Sequence, residues 1–197
     1  MAQSALLREI PQTMARDTCA QPGLSLPEVA RAVDLSVTRA AGEEDFVTAV
    51  FAELDPRGWL QLVVCGRPPP LRLNDADELE TLAPPAFATP LGMHPDLHPS
   101  TYSVRTGDRL LFFTDGLLEA RDRAGRFFRV DQQIEALSRP DLQAAADELL
   151  DRLRAHTRHQ LDDDVAVLLA DLTLTDPALQ PAAPGRRAAA GTAVEAA

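Results

Sequence analysis

The chain is poor in cysteine. Its 197 residues contain two, Cys19 and Cys65, which support no disulfide framework. Both read as buried small hydrophobes and not as reactive thiols. Long apolar runs are also lacking. No stretch approaches the ~18 apolar residues of a membrane-spanning helix. The N-terminus has no basic region followed by an uninterrupted apolar core, so no signal peptide is expected. These absences predict a cytoplasmic protein with no membrane contact. There is no long basic run, and the net charge is −11. Nucleic acid and anionic lipid surfaces are thereby excluded as partners, because their phosphates would be repelled. No internal repeat is present, and no glycine-rich nucleotide loop.

What is present is enough apolar material for a core. Hydrophobic residues make up 45% of the chain and charged residues 25%, the usual shares of a globular domain. The length fits one domain, placed at 1–174, and a tail. From Thr175 onward, alanine, proline and glycine leave little to bury, and 175–197 is expected to be disordered.

Residues 2–19 read as a helix broken or bent near Pro11, and Gln21-Pro22-Gly23 as a turn. Ser25-Leu26-Pro27-Glu28 is a capping-box pattern. Leu26, Val29, Ala30, Val33, Val37 and Ala40 follow at helical spacing, which predicts a helix over 26–41. The period changes after Gly42. Phe46–Leu54 is apolar at nearly every position, as in a strand covered on both faces. Turn chemistry at Asp55-Pro56-Arg57-Gly58 joins it to Trp59–Cys65, giving a hairpin over 46–65. Leu71–Leu73 reads as a short edge strand after three prolines, and 74–99 as surface loop. Thr101–Arg105 and Arg109–Thr114 flank Thr106-Gly107-Asp108 and predict a second hairpin. A turn at 124–126, a short helix at 131–138, an amphipathic helix from Asp141 and a strand at 165–172 complete the domain. Hairpins with helices before and after them predict an α+β layered fold of mainly antiparallel sheets.

The chemistry concentrates at two strand ends. The apolar strand Arg109-Leu110-Leu111-Phe112-Phe113 runs into Thr114-Asp115-Gly116. The acidic cluster Asp162-Asp163-Asp164 precedes Val165-Ala166-Val167-Leu168-Leu169-Ala170. Carboxylates at two strand mouths suggest a centre for a hard cation. On composition alone both aspartates, Asp115 and Asp163, read as simple strand-terminal turn residues. Asp162 and Asp164 read as ligands or as a solvated acidic turn, Glu119 and Asp122 as surface groups or neighbours of the ligands. His94 and His98 lie in a proline-rich loop with no helix to align them. His156 and His159 suit a helix C-terminus, so zinc is not expected. A cysteine phosphatase is excluded as well. Neither cysteine is followed by an arginine at the spacing of a phosphate loop, and prolines remove the N–H donors after Cys65.

Gly107–Ala120 resembles the signature of PPM-type (protein phosphatase 2C-like) serine/threonine phosphatases of the stage II sporulation protein E group, in its actinobacterial form. Phe46-Val47-Thr48-Ala49 leading to Cys65-Gly66-Arg67-Pro68-Pro69-Pro70-Leu71 resembles it too. So do Pro90-Leu91-Gly92 and Asp163-Asp164-Val165-Ala166-Val167-Leu168-Leu169. Four motifs stand in the family order over 26–172. The resemblance implies an αββα sandwich with Mn²⁺ or Mg²⁺ between the sheets. It implies hydrolysis of phosphoserine or phosphothreonine on a regulatory protein, of the anti-sigma antagonist type in sigma-factor control. By motif, Asp115 and Asp163 would be metal ligands.

Departures from the family pattern accompany these matches. The family's Asp-x-x-Gly-x-Gly loop, whose aspartate bridges the metals, has no counterpart here, and Asp17, Asp34 and Asp45 do not substitute for it. Arg67 stands where the family usually has histidine. The sandwich is therefore expected to be incomplete at its N-terminus, with a sheet edge and apolar surface exposed. A homodimer or a partner chain would cover them. Two readings follow. One is a metal-dependent phosphatase, and the other is a catalytically inactive phosphatase-like module that docks a regulator.

Overall fold

The computed structural model describes residues 23–40, 46–158, 160–161 and 163–174. The expected helix at 2–19 and the tail at 175–197 lie outside the described residues.

The first helix, α1, spans Leu26–Ala40. Glu28 reaches back to Ser25, whose N–H and hydroxyl both donate to Oε2 at 2.7 Å. This is the glutamate half of a capping box. The apolar stripe Leu26, Ala30, Val33 and Val37 is buried. It packs on Val63 and Cys65, with Val47, Ala49 and Phe51 beside them.

Strands β1 (Ala49–Asp55) and β2 (Trp59–Cys65) form the expected hairpin, with Ala49 opposite Cys65 and Asp55 opposite Trp59. Strand β5 (Ser100–Ser103) pairs with the other side of β2. A second sheet has the order β4 (Leu79–Thr81), β3 (Leu71–Leu73), β6 (Arg109–Phe113), β7 (Val167–Asp171). Each of these strand pairs is antiparallel.

Side-chain alternation assigns each face to a layer. Leu60, Leu62 and Val64 of β2 meet Leu110 and Phe112 of β6 between the sheets. The opposite face of β6, Leu111 and Phe113, packs with Leu71 and Leu73 against the second helical layer. That layer contains α2 (Gly116–Glu119), a 3₁₀ turn at Val130–Gln132, α3 (Ile134–Leu137) and α4 (Leu142–Thr157). Asp141 caps α4 by accepting the Ala144 N–H at 2.7 Å. The layers are therefore helix, sheet, sheet and helix, the expected αββα sandwich of two mainly antiparallel sheets.

The structure corrects four local readings. β5 and β6 do not form a hairpin, because β5 belongs to the first sheet and β6 to the second. Their five-residue link is long enough to cross between layers about 10 Å apart. β3 is an interior strand. Its three prolines precede it, so Leu71–Leu73 keep the N–H groups that both neighbours need. The 74–99 segment contains β4. Among the described residues β1 is an edge strand, and Ala52–Leu54 in its distal half are exposed, where a strand covered on both faces was expected.

Arg72 of β3 donates to the Ser103 carbonyl, and the Tyr102 hydroxyl donates to the Ala83 carbonyl at 2.8 Å. These bonds set β5 over β3 and β4. Among the described residues the other side of the sandwich ends in the edge strands β1 and β7, where Leu54 and Leu168 are exposed, Leu168 to 62%.

Candidate metal centre

Four of the five β6 residues are buried, and the strand delivers Thr114 to the mouth of the sandwich. The register with β7 runs from Arg109↔Asp171 to Phe113↔Val167. It continues one step further, with the Thr114 N–H donating to the Ala166 carbonyl at 3.1 Å. The Thr114 hydroxyl then bonds twice. It donates to the Asp164 carbonyl at 3.0 Å and accepts the Ala166 N–H at 3.0 Å. One threonine thus ties the end of β6 to the segment leading into β7.

Gly116 completes the joint. A Cβ on it would stand 2.8 Å from the Asp164 carbonyl oxygen and 3.3 Å from Val165 Cγ2. Only a residue without a side chain admits that approach. The Thr114-Asp115-Gly116 and Asp163-Asp164-Val165 motifs are brought together by these contacts.

Asp115 is exposed and opens α2 in a helical conformation, and its carboxylate makes no capping bond. Its carbonyl accepts from Leu118 and Glu119 at 2.8 and 2.9 Å. Asp163 is also exposed, and its Oδ1 accepts the Asp164 N–H at 2.7 Å. Asp162 lies outside the described residues. Carboxylate oxygen is the right donor for a hard divalent cation. Among the described residues, however, no group of three or more His, Cys, Asp or Glu side chains is arranged to hold an ion. The described donors, Asp115 and Asp163, fit such an ion in kind and fall short in number.

The other two motifs also join. A Cβ on Gly66 would meet Pro90 Cγ at 2.5 Å, and Gly66 adopts φ +62°. Its N–H donates to the Ala88 carbonyl at 3.0 Å. Val47 and Leu91 exchange backbone bonds of 3.0 and 2.8 Å. The buried carboxylate of Asp34, on α1, accepts the Gly92 N–H at 2.7 Å. Asp34 does not reach the acidic strand ends. It fastens the Pro90-Leu91-Gly92 loop to the helix. Cys65 is buried below this joint, and burial, with the Asp34 charge adding to it, pushes its thiol up to about 11. Arg67 is half-buried, with Nε 3.5 Å from the Thr48 carbonyl.

Asp122 holds its own loop. It accepts the Ala124 and Arg126 N–H groups at 2.8 and 2.9 Å and the Arg126 guanidinium at 2.7 Å. Glu119 is exposed. His98 pairs with Asp96 at 3.0 Å. His156 lies in the last turn of α4, with Nε2 at 2.9 Å from the Arg126 carbonyl. His159 and Cys19 lie outside the described residues. Thr114, Gly116 and Asp34 were not picked out by sequence as positioning residues. The glycine directly after an aspartate at a strand end was the available signal.

The family model of stage II sporulation protein E (SpoIIE) matches residues 2–173. No curated protein matches the sequence significantly. Solved structures give a consistent fold. The RsbU and RsbW domains of a Mycobacterium tuberculosis protein superpose with a TM-score of 0.74 at 23% identity, covering 90% of this chain and 50% of that one. The SpoIIE phosphatase domain of Bacillus subtilis, presoaked in manganese, gives 0.58 at 15% identity, covering 86% and 76%. The PstP serine/threonine phosphatase catalytic domain, in complex with two manganese ions, gives 0.58 at 20% identity, covering 83% and 80%. At such identities the likeness is one of fold. The chain spans half the length of the first of these structures.

Proposed function

The chain belongs to the stage II sporulation protein E family of PPM-type phosphatases, and on that premise we propose that it is a metal-dependent protein serine/threonine phosphatase. Its substrate on this reading is the phosphoserine or phosphothreonine of a regulatory protein of the sigma-factor control kind, met in the cytoplasm. The observation that carries the reading is the joint between the two acidic motifs. Thr114 and Gly116 bind the Asp115 turn to the Asp163-Asp164 segment, so two carboxylate-bearing turns share one mouth of the sandwich. Asp115 and Asp163 would hold the ion, Mn²⁺ or Mg²⁺. Bound there, such an ion would lower the pKa of a water and would neutralise phosphoryl oxygens. Acceleration of phosphate-ester hydrolysis requires a very large barrier reduction, which two exposed carboxylates do not supply by themselves.

The test is Mn²⁺-dependent hydrolysis of p-nitrophenyl phosphate by the purified chain. Asp115→Asn and a chelator serve as controls. Hydrolysis lost in both controls supports the enzyme reading. A folded chain with no activity above the Asp115→Asn background refutes it and leaves the inactive docking module. Sedimentation of the same sample reports whether a homodimer forms.

A further inference from the structure

A cavity of about 650 Å³ lies between α4 and the loop that follows α2. Arg126, Arg129, Arg152, Gln132, Gln133 and His156 line it, with Phe127 and Phe128, and no acidic residue does. A wall of cationic and amide donors is unexpected in a chain of net charge −11.

The carboxylates that belong to these arginines stand outside the cavity. Asp122 holds Arg126 at 2.7 Å and Asp131 holds Arg129 at 2.7 Å. Glu135 and Glu148 hold Arg152 at 2.9 and 2.5 Å. A guanidinium has five N–H donors, and these pairs leave some of them free. The pairs also fix the direction of each fork, which reduces the entropy lost when an acceptor arrives. His156 is oriented as well. A carbonyl only accepts, so Nε2 must donate to Arg126, and the ring rests edge-on against Phe128 with centroids 5.5 Å apart. Phe128 is buried in the core and its N–H donates to the Ala120 carbonyl at 2.8 Å, so the wall is anchored to the end of α2.

We propose that this cavity binds an oxyanion of the phosphate type. The N–H donors that three guanidiniums keep beyond their ion pairs match such an anion, which would share them with Asp122, Asp131, Glu135 and Glu148. The volume exceeds that of a bare phosphate, so a phosphorylated side chain with its flanking peptide fits the same chemistry. Free phosphate and a phosphorylated segment are thus two sources of one ligand. The inference goes beyond the phosphatase reading and stands without it, because no residue of the candidate metal centre takes part.

The experiment is calorimetric titration of the full chain with inorganic phosphate in chelator, where the uncharged-by-metal acidic mouth repels the anion. Saturable binding is expected. It should weaken about tenfold or more in Arg126→Gln/Arg129→Gln, whose side chains are 80% and 62% exposed, and remain in Asp115→Asn. Gln132→Glu, which touches none of the ion pairs, should weaken it likewise and serves if the double variant misfolds. No saturable binding, binding undiminished from that of the unsubstituted chain in both cavity variants, or loss in Asp115→Asn would each overturn the proposal. A second arm titrates a phosphoserine peptide. Tighter binding than free phosphate identifies a phosphoprotein as the source, and equal binding identifies the free ion.

Discussion

Gly116 and Asp164 are in backbone contact: a Cβ on the glycine would lie 2.8 Å from the aspartate's carbonyl oxygen. Forty-eight residues apart in sequence, they meet where β6 and β7 open toward solvent. The position of Asp115 relative to Asp163 depends on that contact.

Gly116→Ala should therefore destabilise the protein by ~1–3 kcal/mol, the range for forced overpacking. Helix propensity alone gives the opposite sign, since alanine is favoured over glycine inside a helix by ~1 kcal/mol. Urea unfolding decides between them. A stabilised variant would show that the two segments separate freely.

Thr114→Val keeps the shape and removes the hydroxyl. The Ala166 N–H loses its acceptor and the Asp164 carbonyl its donor. A loss of ~0.5–1.5 kcal/mol is expected for this partly solvated site. Hydrogen exchange at Ala166 should accelerate, while Thr114→Ser retains protection.

Asp122 should titrate at about 2, below the usual carboxylate value, because the Arg126 N–H and then its guanidinium favour the charged form. A lowered folded pKa means that stability is present above the unfolded value near 3.8 and is lost as pH falls through 2. Carboxyl-carbon NMR reads the midpoint directly. In Arg126→Gln the midpoint should rise only part of the way, since the backbone bond, the larger cause, survives.

Cys65 should resist thiol reagents at pH 8 in the native protein, because its raised pKa keeps it protonated and its side chain is buried. Labelling followed by peptide mapping should recover modified Cys65 only after denaturation. Native labelling would show that the joint between Gly66 and Pro90 opens.

Leu168→Lys should change stability by less than ~0.5 kcal/mol, as for other exposed positions, and should raise solubility by blunting the β7 edge. A large loss in dilute solution would mean that another segment or chain covers this leucine.

Much of the layered fold was readable because periodicity carries it. The stripe from Leu26 to Val37 and the amphipathic helix starting near Asp141 are local properties, and the structure keeps both. The β1–β2 hairpin was readable because its turn residues join neighbouring strands directly. The second hairpin was misread because alternation says which residues are buried and not which sheet receives the strand. β3 was misread because a short strand shows no partner in its own residues. At the site, Asp115 and Asp163 stood out as charges beside apolar runs. Thr114 and Asp34 did not, because a hydroxyl or a carboxylate in a helix acquires its role only from a distant backbone group.

The sequence by itself determined the order of elements, the apolar faces and the family motifs, since these depend on residues within a few positions of one another. The tertiary structure alone decided that β5 and β6 part into different sheets, that Gly116 rests on Asp164, and that Asp34 holds Gly92. It also decided that three arginines from two separate segments line one cavity. Those relations join residues tens of positions apart, and they exist only when burial of the apolar faces brings the layers together.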